Sequence, residues 1–77
     1  MDRLKQRLDA NLTALIRREP FFSETYRAAR QLLNGARAST GGLMWPSGAQ
    51  TGPHGCSCGD RSCLHQVGWR IYTGGRS

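Results

Sequence analysis

Apolar residues recur through the first eighteen positions at spacings of three and four: Leu4, Leu8, Leu12, Leu15 and Ile16. Charged and amide side chains fill most of the remaining positions, so residues 2–18 are predicted to form an amphipathic helix. The stripe is narrow. It suits packing against one other helix, and Leu8 and Leu15 make too short a heptad for a coiled coil. Glu19-Pro20 ends the helix, because proline disfavours helical geometry in the residue before it. A second helix is predicted to start near Pro20 to Ser23 and to run to about Asn34, with Phe22, Tyr26, Ala29 and Leu33 on one face. Gly35 stands where a left-handed cap is expected. So short a connection makes the two helices an antiparallel hairpin.

The pattern then changes. Residues 34–42 are small and polar and read as a flexible linker. Leu43-Met44-Trp45 is a short apolar run that Pro46 confines to a sheet edge or a strand end. The stretch from Ser47 to Pro53 is rich in turn formers, so a loose hairpin is expected to lead into the cysteines. Val67 to Thr73 alternates with period two and is rich in β-formers, with Gly68 inside it, which is the propensity of a strand. The expected organisation is a helical hairpin at 1–36, a linker at 37–42, a metal-stapled module at 43–73 and a tail at 74–77. The fold class is small α+β.

A chain of 77 residues has room for one compact unit, or for a helical half and a metal-stapled half that share a small core. Below about 70–80 residues a hydrophobic core alone seldom supplies more than ~3–5 kcal/mol, so a disulfide, a metal or a partner subunit usually helps. The three cysteines, Cys56, Cys58 and Cys63, cannot all pair within one chain, and they cluster with His65. That favours a metal over disulfides, the alternatives being free thiols or one Cys56–Cys63 or Cys58–Cys63 bond. No run approaches the ~20 apolar residues that span a bilayer, and charges stand where a signal peptide carries its apolar core. A cytoplasmic, reducing location is expected.

In an extended strand residues i and i+2 face the same way, so Cys56 and Cys58 can aim both sulfurs at one ion. Gly59, Asp60 and Ser62 supply a turn back to Cys63 and His65. Two residues apart on a helix, Cys63 and His65 would point to nearly opposite sides; either Cys63 precedes the first turn or this stretch is extended. Three thiolates and an imidazole complete a tetrahedral shell with no open position, the arrangement of one structural Zn2+ ion, although iron accepts such ligands too. His54 is a rival fourth ligand, and Asp60 a weaker one.

This segment resembles the SWIM-type zinc finger. Cys56-Ser-Cys58, four residues, then Cys63-Leu-His65 matches its C-x-C, variable gap, C-x-H pattern, and Leu43 to Ser47 followed by a Gly/Pro turn and His54-Gly55 is similar to the hairpin that precedes it. The resemblance covers about residues 43–72. It implies a β-hairpin and a short helix around one zinc, serving DNA binding or protein contacts in chromosomal proteins. It thus sets a helix against the strand propensity of residues 66–73, and a short C-terminal helix is expected there, with a strand as the alternative.

Charge bears on partners. The formal net charge is +6, and ten of the eleven basic residues are arginine. Residues 1–24 hold five basic and four acidic side chains, 5 − 4 = +1, whereas residues 25–77 hold six and one, 6 − 1 = +5. Such a surface attracts polyanions, of which nucleic acid is the commonest in a cytosol. Arg27, Arg30, Arg37, Arg61 and Arg70 are the candidate phosphate contacts, with DNA ahead of RNA. The second reading is an adaptor or inhibitor that grips another protein, one that itself acts on nucleic acid; under either reading the chain is expected to be a monomer or a homodimer through the N-terminal helices. No carboxylate pair, phosphate-binding glycine loop or nucleophile with its base is present, so an enzyme is not expected. The same economy of residues assigns Trp45, Trp69, Ile71 and Tyr72 to covering the metal or receiving the helices, with Trp69 beside Arg70 as the alternative stacking platform for an unpaired base.

Overall fold

The computed structural model describes residues 3–59 and 63–74. Helix α1 spans Arg3–Arg18, a single 3-10 turn follows at Pro20–Phe22, and helix α2 spans Ser23–Leu33. Four short strands come next, β1 (Arg37–Ser39), β2 (Gly42–Met44), β3 (Gln50–Gly52) and β4 (Gly55–Cys56), and helix α3 (Leu64–Thr73) ends the described chain. The fold is small α+β, as expected. Among the described residues no helix is long and apolar enough to cross a membrane.

The helices bury the stripes that the sequence marks. Leu8 and Leu15 of α1 and Tyr26, Ala29 and Leu33 of α2 are buried, with Leu12 and Ile16 packed partly against them. Two members of the predicted faces fall outside the core: Leu4 is 50% exposed and Phe22 is 45% exposed. Arg30 takes a core position instead. Its Nε donates to Asp9 Oδ1 of α1 at 2.8 Å, and its Nη1 donates to Asn34 Oδ1 at 2.8 Å. These bonds offset the cost of holding a guanidinium in a nearly buried position.

The segment expected to be a flexible linker is not one. Residues 37–39 form β1 and pair antiparallel with β2, and the four strands run in sequence order as an antiparallel meander. Backbone pairing decides this, since Thr40-Gly41 closes a two-residue hairpin with Gly41 at φ +80°, a geometry that glycine adopts without strain. Residues opposite one another share a face, so Leu43, Thr51 and Cys56 form one row across the sheet. Leu43 and Thr51 are buried. That row is the inner face, and it leads to the first cysteine.

Gly35 does not take the left-handed cap position; α2 ends at Asn34 in ordinary right-handed geometry. Gly35 answers a different demand, because a Cβ there would lie 2.9 Å from Pro46 Cγ. The left-handed cap belongs to Gly74, at φ +77°, which closes α3; the rest of the expected tail lies outside the described residues. Asn11 of α1 supports the same end by donating from Nδ2 to the Ile71 carbonyl at 2.8 Å.

Residues 66–73 are helical despite their alternation. Tertiary packing outweighs strand propensity here. On a helix, Gly68 and Ile71 fall three apart on one face; Ile71 is fully buried, and Gly68 receives the indole of Trp45. Both halves of the chain enter a single core cluster, in which Leu43, Trp45 and Ile71 join the helical residues.

Gly68 gives a test with opposed expectations. Helix propensity alone predicts that Gly68→Ala stabilises α3 by roughly 0.5–1 kcal/mol. Packing predicts the reverse, since the new Cβ would lie 2.5 Å from Trp45 Cη2, a buried and hydrogen-bonded ring with nowhere to go. We expect a net loss of about 1–3 kcal/mol, read from urea unfolding, and a gain in stability would show that the indole is free to move.

Candidate metal centre

Three separate pieces of backbone deliver the four donors. Cys56 ends β4, Cys58 lies in the turn just after it, and Cys63 and His65 sit at the start of α3. The β3–β4 turn passes through Pro53 and His54 and needs Gly55 at φ +120°. Ser57 then locks the strand end to β3: its N–H donates to the Gln50 carbonyl at 2.8 Å, and its Oγ accepts from the Gln50 N–H at 2.9 Å. Gly59, at φ +81°, turns the chain, and its N–H meets the Cys56 carbonyl at 3.3 Å. Cys58 is therefore carried by a tight turn, not by the extended strand that the C-x-C spacing suggests.

Cys63 is the N-cap of α3, with extended backbone at φ −71° and ψ 150°, and His65 lies in the first turn. Of the two geometries open to this pair, the structure takes the one in which Cys63 precedes the helix. A helix N-terminus carries partial positive charge, which favours thiolates beside it.

The ligand atoms of Cys56, Cys58, Cys63 and His65 all lie within 4.8 Å of one another, and Cys56 Sγ is 3.5 Å from His65 Nδ1. A tetrahedral ion with bonds of about 2.3 Å to sulfur and 2.0–2.1 Å to nitrogen separates its ligands by about 3.5–3.8 Å. The donor set fits. These four residues can hold one metal ion. His54 is exposed in the β3–β4 turn and is not among the converging donors. Asp60, the weaker alternative, lies outside the described residues, as does Arg61.

A polar relay reaches the cluster from the core. The buried Trp45 Nε1 donates to Thr51 Oγ1 at 2.8 Å, and the Thr51 hydroxyl in turn hydrogen-bonds Cys56. Burial pushes the Cys56 thiol up, but hydrogen bonds from Thr51, the Cys58 backbone and the other two thiols outweigh it and bring Cys56 down to about 6. Cys63 moves the other way, up to about 11, through burial and the neighbouring Cys58 and Cys56, against the backbone N–H of Gln66. The cluster thus accepts one negative charge readily and resists the next. A metal cation held among the sulfurs would favour the thiolate form at Cys63 as well as at Cys56. The indole of Trp45 also packs beside the His65 ring, centroids 5.0 Å apart and tilted by 35°, which fixes the imidazole against the sheet.

The five candidate arginines fare differently. Arg27, Arg37 and Arg70 are exposed, while Arg30 is nearly buried in its pair with Asp9 and is not available to a phosphate. Arg70 Nη1 stands 3.8 Å from Glu19 Oε1 and 3.5 Å from the Tyr26 hydroxyl, and its side chain is more than half exposed. The role of Arg30 was legible in principle, because it follows Tyr26 by four and precedes Leu33 by three, on the apolar face of α2. Thr51 carried no sequence signal. Its role depends on a cross-strand register that local patterns do not define. Trp69 stacks on Tyr72, centroids 5.6 Å apart and 24° between planes, and the guanidinium of Arg7 lies 5.8 Å from the Tyr72 centroid. The aromatic pair is packed partly against the core rather than standing open. No protein-family model, curated protein or solved structure matches this chain.

Two measurements follow from the centre. Thr51→Val removes the hydroxyl that supports the Cys56 thiolate and leaves the Trp45 N–H without its partner; we expect metal affinity to fall by about 10–100-fold in competition with a chromophoric chelator. Metal uptake at pH 7 should release at least the Cys63 proton, since that thiol is held up at about 11. Affinity should accordingly fall as pH is lowered, because protons then compete for every ligand, and a pH-independent affinity would contradict thiolate ligation.

Proposed function

We propose that the protein is a zinc-dependent nucleic-acid-binding protein of SWIM type, in which one Zn2+ held by Cys56, Cys58, Cys63 and His65 is structural. The metal-binding reading rests on the convergence of the four donors. Sulfur-rich ligation favours zinc over magnesium or calcium, and four protein ligands leave no position for a substrate. Zinc supplies binding free energy, ~10–16 kcal/mol for comparable sites, which exceeds what so small a core provides. The resemblance to the SWIM pattern also gains support from two placements: a hairpin leads into Cys56, and a helix begins immediately after Cys63.

The observation that carries the nucleic-acid reading is the basic charge left exposed at the surface. Arg27, Arg37 and Arg70 are exposed, and residues 25–77 hold Asp60 as their one acidic side chain. Guanidinium groups pair with phosphates through planar, bidentate hydrogen bonds and retain their charge at any working pH. On this reading the metal fixes the sheet against α3 and so fixes Arg37 and Arg70 relative to each other, and binding is governed by phosphates. DNA remains the favoured polymer through the resemblance. A protein partner is the second reading, favoured by the apolar residues that α1 and α2 leave exposed, Leu4 and Leu32.

Fluorescence anisotropy with labelled duplex and single strand at several salt concentrations tests the proposal. Affinity should fall steeply with salt, by a logarithmic slope of roughly 0.7–0.9 for each phosphate neutralised. Arg27→Ala with Arg37→Ala should reduce that slope by about 1.4–1.8 while leaving the metal bound. One zinc per chain without any nucleic-acid complex at low salt would transfer the case to the protein-partner reading.

A further inference from the structure

Phe21 is 91% exposed, at the tip of the turn between α1 and α2. Isolated apolar residues at a surface are ordinary, so exposure alone means little. Three further features set this ring apart. The turn that carries it is closed on both sides, by Phe22 N–H donating to the Glu19 carbonyl at 3.0 Å and by Ser23 N–H donating to the Pro20 carbonyl, and Pro20 fixes the backbone before it. Phe22 meets Phe21 edge to face, centroids 5.3 Å apart and 85° between planes, and Phe22 is braced in the same manner on Tyr26, at 6.4 Å and 70°. An edge-to-face neighbour and near-complete exposure leave at least one π-face of Phe21 open.

The third feature is the charge around the turn. Arg17 and Arg18, both exposed, end α1 directly before it. Glu19, the acidic residue at the turn's start, is engaged: its Oε1 accepts from the Tyr26 hydroxyl at 2.6 Å and stands 3.8 Å from Arg70 Nη1. Through that contact Arg70 of α3 reaches the same end of the molecule. Glu24, one turn on, is the remaining acidic group in this segment. A rigid aromatic post among three exposed guanidinium groups is what unpaired nucleotides require, a face for the base and cations for the flanking phosphates. A bilayer would be met by two rings and no aliphatic companion in the turn, which is a small insertion for stable membrane contact.

We infer that Phe21 is a stacking post for an unpaired base of a single-stranded nucleic acid, whose adjacent phosphates are contacted by Arg17, Arg18 and Arg70. The inference rests on the nucleic-acid reading above and adds a preference for single strands, carried by residues outside the metal-binding half. The post is preorganised, so binding costs little ordering of the protein.

The test uses the full zinc-loaded chain and labelled oligothymidine, with a duplex and phosphatidylserine vesicles as competing probes. Phe21→Ala and Phe21→Leu should each weaken oligothymidine binding by roughly 5- to 150-fold, Phe21→Trp should preserve it, and duplex affinity should change little. Melting temperatures should stay near wild type, since the ring is almost wholly exposed. Unchanged oligothymidine binding by the alanine variant overturns the stacking role while leaving the nucleic-acid reading intact. Full binding by Phe21→Leu with loss in Phe21→Ala also overturns it, because any apolar side chain would then suffice. Phe21-dependent capture by the vesicles in place of the oligonucleotide assigns the turn to a lipid surface and overturns it likewise. If the wild type binds neither oligothymidine nor duplex at low salt, the broader reading fails with it.

Discussion

The seating of one indole in the notch left by one glycine controls how the two halves of this protein meet. Trp45 follows β2, and its ring enters α3 at Gly68, where any Cβ would collide with Cη2. The approach of Trp45 to the helix is therefore set by the edge of the indole meeting bare backbone. Two polar consequences follow from the same placement: the indole N–H bonds Thr51, which supports Cys56, and the ring face lies beside His65. A mid-helix glycine costs about 0.5–1 kcal/mol in backbone entropy, and α3 accepts that cost for close approach. Shift the indole, and both the sheet-borne and the helix-borne ligands lose their common reference.

The metal centre is linked to this packing rather than appended to it. Cys56 and Cys58 travel with the β3–β4 hairpin, whereas Cys63 and His65 belong to the first turn of α3. An ion bound by all four would clamp these elements at the edge of the core, just where the strands are shortest and have least pairing of their own. Two- and three-residue strands make few ladder bonds, and small sheets of this kind need a helix or a cross-link to persist. The helical part depends less on the ion, since Leu8, Leu15, Tyr26, Ala29, Leu33 and Ile71 share one core cluster and Arg30 ties α2 to Asp9 of α1. Electrostatics agree with this division. Cys56 is brought down and Cys63 is held up, so a cation among the sulfurs would ease the ionisation that Cys63 resists.

How much of this was legible in the sequence depends on the range of the interaction involved. The helices follow from a periodicity that spans many residues, and the four donors follow from their spacing; the structure supplies their convergence. The reading that Cys63 precedes the helix was one of two that a pure spacing argument allowed. What local patterns could not reveal were choices made across the chain. Residues 66–73 alternate as a strand does, yet they coil because Trp45 and the N-terminal helices offer a face for Gly68 and Ile71. Residues 37–39 look like linker because their side chains are small or charged, and they become a strand through backbone pairing with Gly42 to Met44, which composition does not encode. Gly35 illustrates the same limit: its position suggested a left-handed cap, while the actual constraint is the ring of Pro46.

Charge was the property that a sequence count described least well, because folding sorts equivalent side chains into unequal roles. Arg30 contributes to the formal +6 but spends its donors on Asp9 and Asn34, so it holds α2 to α1 and attracts nothing. Glu19 is counted against the basic N-terminal segment, yet its carboxylate is engaged by Tyr26 and faced by Arg70, which lessens its opposition to an incoming anion. Arg17 and Arg18, which lie in the nearly neutral first third of the chain, consequently stand beside a turn whose acidic residue is already occupied. The field that a polyanion meets is set by the arginines left over after the core has taken what it needs. By that measure the basic surface extends from the sheet and α3 to the tip between α1 and α2, and the two ends are joined through the contact of Arg70 with Glu19 and Tyr26. A surface assembled in this way from distant segments exists only while the helices and the sheet are held together, so on the proposed reading recognition of a polyanion would depend on the seating of Trp45 on Gly68.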